Sequence, residues 1–116
     1  MQIRIVAVGQ RITEWAQSAV SDYLSRFPRD FRVELREIRT EPRAGQTPAR
    51  LMAAEAEPIL AVIGGPDGLA PEVKARANLT IRLSSMTLPH AFARVMLSEQ
   101  IYRAWSILAG HPYHRA

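Results

Sequence analysis

Apolar residues open the chain as Ile3, Ile5, Val6, Ala7 and Val8, interrupted only by Arg4 and ended by Gly9. A run with so little polar content predicts a strand buried on both faces, at the centre of a parallel sheet. From Thr13 to Phe27 the period changes. Trp15, Ala19, Tyr23 or Leu24, and Phe27 recur at helical spacing, with Thr13 placed to cap an amphipathic helix and Pro28 placed to stop it. Phe31, Val33 and Leu35 then alternate with Arg32, Glu34 and Arg36, which predicts an edge strand over 32–38. Proline, glycine and charge without a period mark 39–46 as a loop. Residues 47–57 are rich in helix formers, with Thr47 as N-cap and Pro48 in the first turn. Ile59–Ile63 form a second unbroken apolar run, and Leu79, Ile81 and Leu83 alternate with Thr80, Arg82 and Ser84 as a second edge.

The final element is the longest, a helix from His90 to a glycine terminator at Gly110. Its apolar residues fall on two lines: Ala91, Val95, Tyr102 and Trp105 on one, Leu97, Ile101, Ala104 and Leu108 on the other. One sheet cannot cover both, so part of this helix is expected to pack against a second copy, making a homodimer. Strands alternating with helices predict an α/β fold with a mostly parallel four-stranded sheet. Placing the two buried strands inside and the two alternating ones outside gives the order 4-3-1-2, numbered along the chain. Ligands of such sheets sit beyond the carboxyl ends of the strands at the switch in winding direction. That places the bends after Gly9, at "GGPDG" and at "SSMTLPH" on one rim.

Composition narrows the class. At 116 residues and 47% hydrophobic content, residues 1–116 are expected to form a single domain with a real core. The absence of cysteine removes disulfides and thiolate metal sites and suits a reducing cytoplasm. The N-terminal apolar run is too short for a signal segment or a membrane span, so a soluble cytoplasmic protein is expected. A net charge of +4, with all but one of the fifteen basic residues arginine, fits a polyanionic partner, although arginine-rich usage of the genome gives the same count.

Three stretches carry candidate chemistry. "IGGPDGL" follows a buried strand; Gly64 and Gly65 permit close approach of a ligand, and Pro66, Asp67 and Gly68 make a tight turn, as a plain strand-ending turn also would. "LSSMTLPH" offers main-chain donors and acceptors beside Leu83, Met86 and Leu88, which can wall an apolar slot; Thr87 as a helix cap is the simpler alternative. The tail "GHPYHRA" puts His111, Tyr113, His114 and Arg115 within five residues. No acidic or third histidine partner is spaced for a metal. Stacking on a base and binding a phosphate is the chemical use of this set, and an exposed tail the structural one.

"IRIVAVG", "AVIGGPDGLAPEV" and "LSSMTLPHAFARVMLSEQIYRAWSILAGHPYHR" together resemble the ribosomal large subunit methyltransferase H family of the SPOUT superfamily of knotted methyltransferases. The resemblance covers about residues 1–38 and 58–115. It implies methyl transfer from S-adenosylmethionine to N3 of a pseudouridine in 23S rRNA of the assembled ribosome, by a homodimer. By the same resemblance, Gly64, Gly65, Leu83, Ser84, Ser85, Met86, Thr87 and Leu88 build the cofactor pocket. The tail residues His111, Tyr113, His114 and Arg115 lie near the target nucleotide. Either histidine is then a candidate to take the N3 proton or orient the base, and Arg115 to hold a phosphate or the developing anion.

One departure from the family is large: "AAEAEPILAVIGG" runs directly from the helix at 47–57 into the third strand, where relatives carry a further strand, a leucine-aspartate loop and a further helix. The third and fourth strands are therefore expected to pair directly, the trefoil knot to be lost, and cofactor to bind more weakly. The alternative function is a shortened relative, natural or engineered, that is catalytically idle and keeps dimerisation and RNA binding.

Overall fold

The computed structural model describes residues 2–9, 12–38, 59–64, 69 and 71–115. The chain divides into two compact units, one made of residues 1–11 and 28–82, the other of residues 12–27 and 83–116.

The first unit is a parallel sheet of β1 (Gln2–Val8), β2 (Arg32–Ile38) and β3 (Ile59–Ile63), in the order β2-β1-β3. As its composition requires, β1 is central, with Ile5, Val6 and Ala7 fully buried and so covering both faces of the strand. Val6 packs with Leu60 and Val62 of β3. The register sets Arg4 directly opposite Glu34 on β2, and the two side chains form an ion pair. Alternation on β2 is as expected: Val33 is buried, Leu35 half-buried, and Arg32, Glu34 and Arg36 exposed.

The fourth strand is a correction. Residues 79–84 form no strand, and Leu79 and Ile81 are 75% and 70% exposed. Alternation marks a surface able to pair, and a strand forms only where a neighbouring edge accepts it. β3 consequently bounds the sheet among the described residues, with Ile59 half in solvent, instead of lying inside it. A short helix, α2 (Pro71–Arg76), buries Val73. The expected loop at 39–46 and helix at 47–57 lie outside the described residues.

The second unit is two helices and a terminal turn. α1 (Glu14–Ser25) has Thr13 as its N-cap, through its carbonyl, which accepts from Gln17 N–H at 3.0 Å, and not through its side chain. Its buried positions are Ala16 and Val20, not Trp15 and Ala19. Small residues let the partner helix approach closely, while Trp15 turns aside to meet Phe92, with ring centroids 5.1 Å apart. That partner, α3 (His90–Ala109), starts at Pro89, whose carbonyl accepts from Ala93 N–H, so Thr87 is not its cap.

The buried line of α3 is Arg94, Ser98, Tyr102 and Ser106, a spacing of four. Neither of the two apolar lines is the buried one. Ser98 and Ser106 return their hydroxyls to the carbonyls of Arg94 and Arg103, at 2.8 and 2.6 Å, so their burial leaves no donor unpaired. Arg94 Nε donates to His90 Nε2 at 2.7 Å. Leu97 and Ile101 are half-buried, while Ile107 and Leu108 stand 59% and 78% exposed.

Candidate active site

The tail is folded back by a glycine. Gly110 adopts φ +71°, a left-handed conformation, and the turn closes with Gly110 N–H on the Ile107 carbonyl and His111 N–H on the Ser106 carbonyl, at 3.4 and 2.8 Å. The paired 5→2 and 6→1 bonds reverse the chain, and Pro112–Arg115 wind into a 3₁₀ turn against α3. His111 and Tyr113 are thereby seated on an aromatic ridge.

Tyr102 is the centre of that ridge. Its ring lies 4.7 Å from Tyr113, edge-on, 5.4 Å from Trp105, stacked, and 5.4 Å from Phe27, two residues past the end of α1, edge-on. His111 leans on Trp105 with centroids 5.5 Å apart. The Arg26 guanidinium covers Tyr23 at 4.7 Å and is held by Asp22 at 2.8 Å.

A polar chain pins the turn through the Tyr113 hydroxyl. It donates to Glu99 Oε1 at 2.9 Å and lies 3.1 Å from the Tyr23 hydroxyl. Arg103 grips the same Glu99 oxygen with Nη2 and Nε, at 2.8 and 3.1 Å. Burial alone would raise the Glu99 carboxyl, but hydrogen bonds from Arg103, Tyr113 and Gln100 outweigh it and hold the group below its ordinary value. Burial pushes the Tyr113 phenol up, and its bonds to Tyr23 and Glu99 push it further, so it stays protonated. A phenol so engaged anchors the tail; it is not a base.

The two imidazoles differ. His111 is exposed, and its Nδ1 accepts from Tyr113 N–H at 3.2 Å. His114 is half-buried, with Nδ1 3.2 Å from Ser106 Oγ. Arg115 is exposed and pairs with no described carboxylate. No group of three or more His, Cys, Asp or Glu side chains able to hold a metal occurs among the described residues. No described helix is long and apolar enough to cross a membrane.

The expected cofactor loops are divided between the units. Gly64 follows β3 and, because Ala7 faces Ile63 in the register, shares a rim of the first unit with Gly9 at the end of β1. Gly65 lies outside the described residues. In the second unit Leu83, Ser84 and Leu88 are half-buried, while Ser85, Met86 and Thr87 are exposed. Ser84 Oγ accepts Met86 N–H at 2.9 Å, tightening the bend, and the Met86 side chain is 75% exposed.

Glu99, Arg103, Tyr23, Arg26 and Ser106 were not apparent as site residues from sequence. Two of the pairs, Asp22 with Arg26 and Glu99 with Arg103, were visible as i,i+4 ion pairs of ordinary helix surface. What raises them above that is the tail's contact with both helices.

A family model described as "Predicted SPOUT methyltransferase" matches residues 1–62 and 49–114. The chain belongs to the SPOUT methyltransferase family. Proteins named "Ribosomal RNA large subunit methyltransferase H" are similar to it throughout. The one from Methylibium petroleiphilum is 44% identical over 155 aligned positions, covering 99% of each chain. Those from Verminephrobacter eiseniae and Acidovorax ebreus are 42% and 44% identical over 154 positions, again covering 99% of each. An alignment of 155 positions is longer than the 116 residues available, so this SPOUT chain lacks an internal segment that the Methylibium protein has. The two family matches overlap at 49–62, beside the entry to β3.

Proposed function

We propose that the chain is an rRNA methyltransferase that moves a methyl group from S-adenosylmethionine to N3 of a pseudouridine in 23S rRNA of the ribosome, acting in the cytoplasm as a homodimer. The observation that carries this is similarity to the methyltransferase H proteins over both ends of the chain, including a tail that folds into an ordered turn. The net charge of +4 supports a phosphate-rich partner. Exposed Ile107 and Leu108, at the end of a helix whose other face is covered, support pairing with a second copy.

Each unit, taken by itself, offers groups that suit a nucleotide-like cofactor. Gly64 stands on a rim of parallel strand ends, and Leu83 and Leu88 offer a partly covered apolar surface beside exposed hydroxyls. When bound, S-adenosylmethionine supplies an electrophilic methyl on a sulfonium. Gly64, Gly65 and the run Leu83, Ser84, Ser85, Met86, Thr87 and Leu88 would hold it. His111, Tyr113, His114 and Arg115 would face the nucleotide, Tyr113 as the anchor of that group. Since alkyl transfer needs an in-line nucleophile and little else, positioning by the tail supplies much of the acceleration.

The test is transfer of labelled methyl from S-adenosylmethionine to ribosomes that lack the modification. Label confined to one pseudouridine of 23S rRNA is expected, and no incorporation would sink the assignment. The shorter length relative to the Methylibium protein favours a second reading, in which the shortened chain is idle and only binds. Salt-dependent ribosome binding without transfer would establish it. The missing segment carries two further consequences: a cofactor bound more weakly than by the longer relatives, and a covering loop too short to knot the chain. Calorimetry giving equal affinity, or a crystal structure with a threaded C-terminal helix, would overturn each in turn.

A further inference from the structure

The hydrogen bonds around the two tail histidines determine where each imidazole carries its proton, which spacing in the sequence left open. Ser106 Oγ has one proton, and it is committed to the Arg103 carbonyl at 2.6 Å, since a carbonyl can only accept. Toward His114 Nδ1, 3.2 Å away, Ser106 Oγ can therefore only accept, and the proton of that contact sits on His114 Nδ1. Neutral His114 then has a bare Nε2, with no hydrogen-bond partner among the described residues. At His111 the order is reversed. Tyr113 N–H donates to Nδ1 at 3.2 Å, so Nδ1 must be bare and the ring proton sits on Nε2.

We infer that the tail presents one acceptor and one donor to the target base: His114 Nε2 takes the imide proton, and His111 Nε2–H donates to a carbonyl of the same ring. This deepens the proposed function and rests on it. In the step, the N3–H bond breaks, its proton passes to His114 Nε2 and its electron pair stays on N3. N3 forms the new N–C bond as the methyl carbon leaves the sulfonium sulfur, which keeps the bonding pair. The pyrimidine regains neutrality, His114 becomes imidazolium, and the sulfonium becomes a thioether, so charge and atoms balance. His111 stabilises the anionic ring while the proton is gone, using a donor that the backbone holds in place before substrate arrives.

Nitrogen-15 NMR of the full-length protein, correlating ring nitrogens with carbon-bound protons, reads the tautomers directly. His114 is expected as the Nδ1–H form and His111 as the Nε2–H form; the opposite assignment at either ring overturns the inference, whatever the activity. Methyl transfer gives the second readout. His114→Ala is expected to lose on the order of a hundredfold or more in rate and to recover in part with added imidazole, as a missing base does. His111→Gln, whose amide N–H₂ reaches the Nε2 position, is expected to retain most of the rate that His111→Ala loses. Retained rate in His114→Ala, or equal loss in both His111 variants, would defeat the division of roles. If the unaltered protein transfers no methyl at all, the proposed function fails, and the tautomers still decide the geometry.

Discussion

At the scale of single residues the tail depends on one phenol. Tyr113 joins the 3₁₀ turn to Glu99 on α3 and to Tyr23 on α1, and its ring fills the ridge beside Tyr102. Tyr113→Phe keeps the ring and removes the bond to a charged acceptor, at a cost of about 1.5 kcal/mol, the low end for such bonds because the site is half-buried. The expected outcome is a lower unfolding midpoint in urea and faster proteolysis after Gly110. Glu99 adds a pH dependence whose sign follows from linkage. Its carboxyl is held below the ordinary value of 4.5, so the folded form binds its proton less readily than the unfolded chain does. The contribution is present above that ordinary value and is lost as pH falls through the depressed one. Thermal melts between pH 7 and about pH 3 should show this loss. Glu99→Gln, melted over the same range, should be less stable at neutral pH and should show a shallower acid slope; an unchanged slope would mean that Glu99 does not bear this load.

At the scale of elements, what was legible in the sequence was whatever depends on apolar content alone. β1 is central because five of its seven residues are apolar, and β2 is an edge because its charges alternate. The buried line of α3 was not legible, because two of its members are serines whose hydroxyls bond to carbonyls of their own helix. Nor was the tail network, because Tyr23 and Tyr113 stand 90 residues apart and nothing local marks either as the other's partner. The missing fourth strand teaches the converse: residues 79–84 have the pattern of a strand and no edge that holds them. Gly110 shows a feature legible both in sequence and in structure, and it isolates a conformational cost. Nothing lies within 4 Å of where its Cβ would be, so Gly110→Ala meets no steric barrier and suffers only the left-handed backbone. The expected cost is about 1–2 kcal/mol, seen as a lower melting temperature with the circular dichroism of α3 intact. A drop much beyond that would mean that the turn, and not only its φ, is lost.

At the scale of the whole molecule, the exposed end of α3 links fold to function. Ile107 and Leu108 are more exposed than large aliphatic residues usually are on a finished surface, and they sit three and two residues before the glycine that turns the tail. If a second copy covers them, the surface that completes the protein is continuous with the one that presents His111 and His114, and association and catalysis are coupled. Replacing both residues by glutamate places charges where an apolar contact is required, without touching the buried line of Arg94, Ser98, Tyr102 and Ser106. Sedimentation velocity should then show a dimer for the unaltered chain and a monomer for Ile107→Glu with Leu108→Glu, both with the same helical content. Methyl transfer by the variant should fall and should recover as protein concentration is raised, because mass action restores the pair. Full transfer by a stable monomer would separate the two properties and remove the dimer from the proposed function, leaving the ordered tail of a single chain to do the chemistry.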